Sequence, residues 1–397
     1  MIGSDLMEAL MAHIERELRA QLQRAARAFS AVVLTGPRRS GKTYLLRHAF
    51  PKASYHLLED PDVIARVRAD ARGWLAEVRT PAILDEVQHV PEILPYIRTL
   101  IDRAPSRRGR WLLTGSQDFT LMKGVSESMA GRAAVFTLLP LSYRETNRWN
   151  LLRGGFPEVV LRPRSAADWF RSYIQTYLER DVRSLLQVRD LATFRRFLAL
   201  LAARNGQLLN KTDLAAPLGV SVPTITSWLA VLEVTGHVLL VPPYFENLGK
   251  RLVKSPKLYW VDSGLLCALL GLASTAELER SPFVGPCFEG FVASELVKNL
   301  LNAGKRSEIF HFRDQQGLEV DFVVPGPAGS LRLIEAKWSR TATPDMARPL
   351  ARLAAAMQPR EVECIVVGRG GPGGPRSLAP GVRALSVEEL LGSAQTK

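Results

Sequence analysis

Two groups of residues in this sequence could do chemistry. The first is the run Gly36-Pro37-Arg38-Arg39-Ser40-Gly41-Lys42-Thr43, with Tyr44 behind it. It fills the G-x-x-x-x-G-K-[ST] pattern in full, between an apolar run at 31–35 and a stretch from Tyr44 that can continue as a helix. Each residue type has a physical reason to be there. Glycine at 36 and 41 lets the main chain wrap an anion without a Cβ clash, and the N–H groups of a helix N-terminus then face that anion. Lys42 can neutralise β/γ-phosphate charge, and the Thr43 hydroxyl can ligate Mg²⁺. Residues 36–44 are therefore the expected contacts of ATP with Mg²⁺. A chance match on a glycine loop is the alternative, and a strand, loop and helix in register make it the poorer one.

A pair of carboxylates belongs with this loop. Ala82-Ile83-Leu84 runs into Asp85-Glu86, an apolar strand that ends in two acids. Asp85 is placed to share Mg²⁺ with Thr43 through water, and Glu86 to orient and polarise the attacking water. Two further candidates have plainer alternatives. Ser116 or Gln117, ending the apolar run at 112–114, could sense a γ-phosphate or be only a polar strand end. Arg132, after Gly131, could be an arginine finger supplied to a neighbouring subunit or one more surface arginine.

The second group lies near the C-terminus. Leu318-Glu319-Val320-Asp321 reads as a strand with its acids on one face, because side chains alternate with period two. On the next strand Glu335 and Lys337 share a face, while Ile334 and Ala336 point to a core. Upstream, Glu289 lies in a helical stretch. Carboxylates on adjacent strands can hold Mg²⁺ against a phosphodiester, with lysine stabilising the developing charge. Glu289, Asp321, Glu335 and Lys337 resemble the D…E-x-K site of the restriction-endonuclease-like fold. The alternative is an inert ion-pair network.

These residues need elements to carry them. Strand and helix signals alternate to about residue 140, which implies a parallel sheet covered on both faces. A helix is expected from Leu6 to Arg27. Residues 167–270 read as mainly helical, with a strand pair at 237–241 and 259–261. Within them, a short helix from Lys211, a turn at Leu218-Gly219-Val220 and a second helix from Ser221 have the form of a helix-turn-helix, with a wing after Gly236. Thr224 at the start of the second helix could reach DNA. The basic run Lys250, Arg251, Lys254 and Lys257 is a stronger candidate for phosphate contact. That module could equally serve protein contacts. Residues 368–380, rich in glycine and proline, read as a loop.

The bulk composition agrees with a soluble multidomain chain. Of 397 residues, 47% are hydrophobic and 23% charged, and the net charge of +13 favours an anionic partner, DNA above all. Three scattered cysteines exclude a disulfide framework, and no apolar run is long enough to span a bilayer, so a cytoplasmic protein without membrane contact is expected. The motifs at 36–43, 82–88, 113–117, 131–144, 177–181, 247–251 and 255–259 resemble the AAA-type ATPases of bacteria and archaea that carry a C-terminal domain of unknown function. The resemblance covers nearly the whole chain. It implies ATP hydrolysis and ring-like assembly, a homo-oligomer such as a hexamer. The expected fold is α/β: a P-loop NTPase sheet over 1–153, a helical winged-helix-like domain over 154–280, and an α/β restriction-endonuclease-like domain over 281–397. Three readings follow: an ATP-driven protein acting on DNA, an ATP-dependent switch controlling a protein partner, or a metal-dependent nuclease gated by ATP.

Overall fold

The computed structural model describes residues 14–115, 128–178, 190–244, 253–370 and 376–392. The chain begins with a helix, Arg19–Ala28, that leads into strand β1, Ala31–Thr35. The expected start at Leu6 needs correction for the described part, since residues 14–16 are not helical. The Arg16 side chain there is buried against residues far along the chain.

β1 is buried at all five positions. Ala31 and Val33 face one apolar cluster, with Ile97 and Trp111, and Val32 and Leu34 face another, with Leu22 and Leu46. A strand that must hide both faces reads as a continuous apolar run, which is why the alternation is missing. β1 lies inside a five-stranded parallel sheet with β2 (Ser54–Leu57), β3 (Ala82–Asp85), β4 (Trp111–Thr114) and β5 (Ala133–Thr137), in the order β2-β3-β4-β1-β5. Parallel strands put all their C-terminal ends on one edge. The loops after β1, β3 and β4 therefore converge there.

The middle of the chain is helical: Ala166–Tyr173, Leu191–Ala202, Lys211–Ala215 and Val222–Val234. Ser221 caps the last of these by accepting from Thr224 N, and Gly219 makes the preceding turn at φ 66°. An antiparallel ribbon follows, β6 (Val238–Val241) with β7 (Lys257–Trp260). The helix Val284–Asn302 then packs on a six-stranded sheet of order β12-β13-β11-β10-β9-β8. Its strands are β8 (Phe310–Arg313), β9 (Glu319–Pro325), β10 (Leu331–Ala336), β11 (Val362–Gly368), β12 (Arg376–Ala379) and β13 (Val382–Ser386). The loop expected over 368–380 is thus corrected in part, because Arg376–Ala379 forms an edge strand against β13.

One apolar core runs from Leu139 and Phe156 through Phe194, Trp228 and Trp260 to Phe288, Phe322 and Leu391. It crosses the position expected as a boundary between the helical and C-terminal parts. Burying one such aromatic contributes roughly 1.5–3 kcal/mol, so these two parts hold each other rather than meeting at a loose seam. Among the described residues no single helix is long and apolar enough to cross a membrane.

Candidate functional site

The glycine loop turns between the end of β1 and the helix Lys42–Ala49. Gly36 sits at φ 139°, and a Cβ there would lie 2.2 Å from the Leu138 carbonyl oxygen. Gly41 caps the helix at φ 94°, where an L side chain is strained. Lys42 is buried, and its Nζ donates to the carbonyls of Gly36 (3.0 Å) and Pro37 (2.9 Å). Thr43 Oγ1 donates to Asp85 Oδ2 at 2.8 Å, and Tyr55 Oη donates to the same oxygen at 2.8 Å. The loop after β1 and the end of β3 therefore meet, although β4 lies between those strands.

Burial pushes the Asp85 carboxyl up, against the hydrogen bonds from Tyr55 and Thr43. Glu86 follows in the left-handed region, φ 56° and ψ 46°, a placement that costs a non-glycine residue about 1–2 kcal/mol. Burial would raise Glu86 too, but the Lys42 ammonium, the Gln88 amide that donates to it and the Arg38 charge outweigh burial and hold it below the usual carboxylate range. Glu86 is thus kept ionised. Asp85 Oδ1, Ser40 Oγ and Thr114 Oγ1 are buried here without a hydrogen-bond partner among the described residues. Such groups are costly unless something polar meets them. These oxygens, the lysine and the helix N-terminus fit a triphosphate with Mg²⁺.

The remaining motor candidates are placed less tellingly. Ser116 lies outside the described residues, as does Gln117. Arg132 precedes β5, at the N-terminal edge of the sheet and away from the glycine loop of its own chain. There its Nε and Nη2 donate to Asp102 at 2.6 and 3.0 Å.

Three supports of the loop had no signal in the sequence. Arg16 Nη1 donates to the Ser40 carbonyl (2.7 Å), Nη2 to the Leu139 carbonyl (2.8 Å), and Nε pairs with Glu145 (2.7 Å). Tyr173 Oη donates to the Arg38 carbonyl (3.2 Å) and lies 3.0 Å from His237 Nε2, whose Nδ1 meets Thr235 Oγ1 at 2.7 Å. Burial pulls His237 down to about 3, so its ring is neutral. Gly236 packs on Pro37, since a Cβ there would come within 3.0 Å of the proline ring. Glu145 alone could have been found, as the partner of Ser142 in a capping box.

The C-terminal group also comes together, around a cleft of about 600 Å³ lined by Glu289, Glu319, Asp321, Glu335, Lys337 and Arg352. Lys337 Nζ pairs with Glu335 at 2.6 Å, and Asp321 Oδ2 accepts from Ala336 N at 3.0 Å. Burial, with Asp321 adding to it, pushes Glu289 up to about 8 and Glu335 up to about 7. Lys257 is a correction. Expected as a DNA contact, it is 2% exposed, with Nζ 3.1 Å from Glu289, 2.6 Å from Glu319 and 3.2 Å from Asp321. Three carboxylates on two elements, the helix Val284–Asn302 and β9, outbid solvent for its charge. Tyr259 Oη, two residues on, donates to Glu289 at 2.5 Å. Of the other DNA candidates, Lys254 is exposed, Thr224 Oγ1 is 2.8 Å from Ser221 Oγ, and Lys250 and Arg251 lie outside the described residues. Among the described residues no group of three His, Cys, Asp or Glu side chains is arranged to hold a metal ion. With an ammonium between them, these acids do not fit Mg²⁺ as they stand.

The parallel sheet, its glycine loop and the acids facing that loop define an ATPase of the AAA type, and residues 28–147 match the AAA domain family. Residues 144–276 and 284–376 match two domains of unknown function, DUF8612 and DUF4143. The chain belongs to the same family as two uncharacterised mycobacterial proteins, Rv2008c of Mycobacterium tuberculosis and Mb2031c of Mycobacterium bovis. Each is 35% identical to it over 346 residues, 84% of this chain and 76% of theirs. Among solved structures, the Walker-type ATPase PABY2304 of Pyrococcus abyssi is similar with a TM-score of 0.44 and 14% identity, over 64% of this chain and 95% of that one. The Holliday junction branch migration motor RuvB of Thermotoga maritima gives 0.32 and 16%, over 58% and 90%.

Proposed function

We propose that this chain hydrolyses ATP at residues 36–44 and uses the cycle to act on DNA through the segments that follow the AAA domain. The observation that carries the first half is the contact of Thr43 with Asp85 beneath the glycine loop, beside an ionised Glu86. In this reading the loop amides and Lys42 bind the phosphates, Glu86 orients water for in-line attack, and Ser116 senses the γ-phosphate. Thr43 and Asp85 are the residues that would hold Mg²⁺, which would supply Lewis-acid stabilisation of phosphate charge. Arg132 serves a neighbouring subunit of a homo-oligomer, released from Asp102 when that subunit docks.

The DNA half is supported by the +13 charge and by the helix-turn-helix form of residues 211–234, read as a winged helix with β6 and β7 as its wing. The restriction-endonuclease-like reading of the C-terminal sheet is supported by Asp321, Glu335 and Lys337 sharing one cleft, with Arg348 and Arg352 beside them. The switch reading is favoured by a different observation, the Lys257 ammonium among the acids, which suits an inert domain. ATPase turnover measured with linear, single-stranded and branched DNA separates the two. Stimulation by any of them is expected, and none would favour the switch.

A further inference from the structure

Lys257 belongs to the ribbon β6–β7, not to the domain whose acids surround it. Its ammonium meets Glu289 from the helix Val284–Asn302 and both Glu319 and Asp321 from β9. Glu319 is also paired with Arg313 (3.0 Å) and Glu335 with Lys337 (2.6 Å). In direct ion pairs four carboxylates thus share two lysines and one arginine, one cation fewer than acids when all are ionised, with Arg348 and Arg352 further along the cleft wall. Lys257 is the cation at the centre, and three of the four acids touch it. Removing it leaves buried like charges in one place, a setting that draws in another cation.

The other end of the same ribbon rests on the phosphate loop. Val241 pairs with Lys257 and Val238 with Trp260, so the strands run side by side from His237 to Lys257. At about 3.3 Å per residue this arm spans roughly 13 Å. At its near end, Gly236 packs on Pro37, and His237 meets Tyr173, which holds the Arg38 carbonyl. Val261 N donates to the His237 carbonyl and ties β7 to that end as well. Pro37 and Arg38 lie in the loop that would close on a triphosphate.

We propose that Lys257 is a built-in counter-ion that shuts the C-terminal carboxylate cluster to divalent cations, and that the β6–β7 ribbon is the arm through which the phosphate loop withdraws it. The second half rests on the reading of residues 36–44 as a nucleotide site; the first does not. Lock and arm are tested separately in the full chain. In nucleotide-free protein titrated with Mn²⁺ and followed by electron paramagnetic resonance, Lys257→Met gains one bound Mn²⁺ per chain relative to wild type. Adding Asp321→Asn removes it. A folded Lys257→Met chain that binds no more Mn²⁺ than wild type overturns the lock.

Because Lys257→Met could fail to fold, the unmutated chain supplies a second measurement. A pulse of acetic anhydride, read by peptide mass spectrometry, should label Lys257 at least tenfold less than exposed Lys305. Equal labelling overturns the lock. A non-hydrolysable ATP analogue should raise Lys257 labelling severalfold, and unchanged protection with the analogue bound overturns the arm. Failure of the analogue to bind would sink the nucleotide-site reading and the arm with it, while the Mn²⁺ result still decides the lock. A Lys257→Met chain that binds Mn²⁺ yet leaves DNA uncut refutes the nuclease-like reading and leaves the lock standing.

Discussion

Arg16→Met should loosen the phosphate loop without touching a residue of its motif. The side chains of Arg16 and Glu145 are 1% and 0% exposed, so the pair is fully desolvated. Removing one partner of a buried pair costs about 3–5 kcal/mol, because the other charge stays behind. Two carbonyls, Ser40 and Leu139, also lose their donors, and an unmet buried acceptor costs about 1–3 kcal/mol. Against this, Glu145 keeps its bonds from Glu17 N (3.1 Å) and Ser142 N (2.8 Å), which soften the loss. Balancing these, a destabilisation of about 3–4 kcal/mol is expected, a large share of the roughly 5–15 kcal/mol that holds a domain. Urea titration of Arg16→Met, Glu145→Gln and the double variant measures it. The double variant should cost about 2 kcal/mol less than the sum of the singles, since neutralising Glu145 removes the stranded charge. Affinity for a fluorescent ATP analogue should fall about tenfold, equivalent to 1.4 kcal/mol, as the Ser40 carbonyl loses its anchor. A single variant within 1 kcal/mol of wild type, or a cycle additive to about 0.5 kcal/mol, would refute the reasoning.

Lys42→Ala should abolish nucleotide binding, whereas Glu86→Gln should bind ATP normally and turn it over about 10²–10⁴-fold more slowly, the usual contribution of a general base. Equilibrium binding and single-turnover hydrolysis on the same samples check both, and normal turnover in either variant would contradict the assignment. Stability should vary with pH in two opposite senses. Glu289 and Glu335, at about 8 and about 7, lie above their ordinary 4.5. The folded chain therefore holds extra protons between pH 4.5 and 8, and stability falls as pH rises through that window. His237, near 3, lies below its ordinary 6.5, so its contribution is complete above pH 6.5 and is lost as pH falls toward 3. Thermal unfolding from pH 4 to 9 should show a shallower alkaline fall in Glu289→Gln; an unchanged slope would count against the raised carboxyl.

What could be read from the sequence is what lies close together along it. Residues 36–43 announce themselves because the loop, its lysine and its hydroxyl act within one turn of chain, and Asp85-Glu86 because a wholly apolar strand ends in charge. The parallel sheet was legible for the same reason: 31–35, 82–84 and 111–114 bury both faces and show it. The acids at 319, 321 and 335 were legible as strand faces, since period two needs no partner to be seen. Lys257 departs from its expected exposure for a physical reason. A lysine among basic neighbours looks solvated until its partners are known, and those partners lie more than thirty residues away in sequence. Arg16 fails the same test by a wider margin, as its partner is Glu145. Both are charges taken out of water, and such a charge persists only where other elements surround it with compensation. That compensation is a property of the assembled fold. Burial of a charge therefore marks the junctions, Arg16 between the loop and the Ser142 turn, Lys257 between the ribbon and the C-terminal sheet, where local sequence says least.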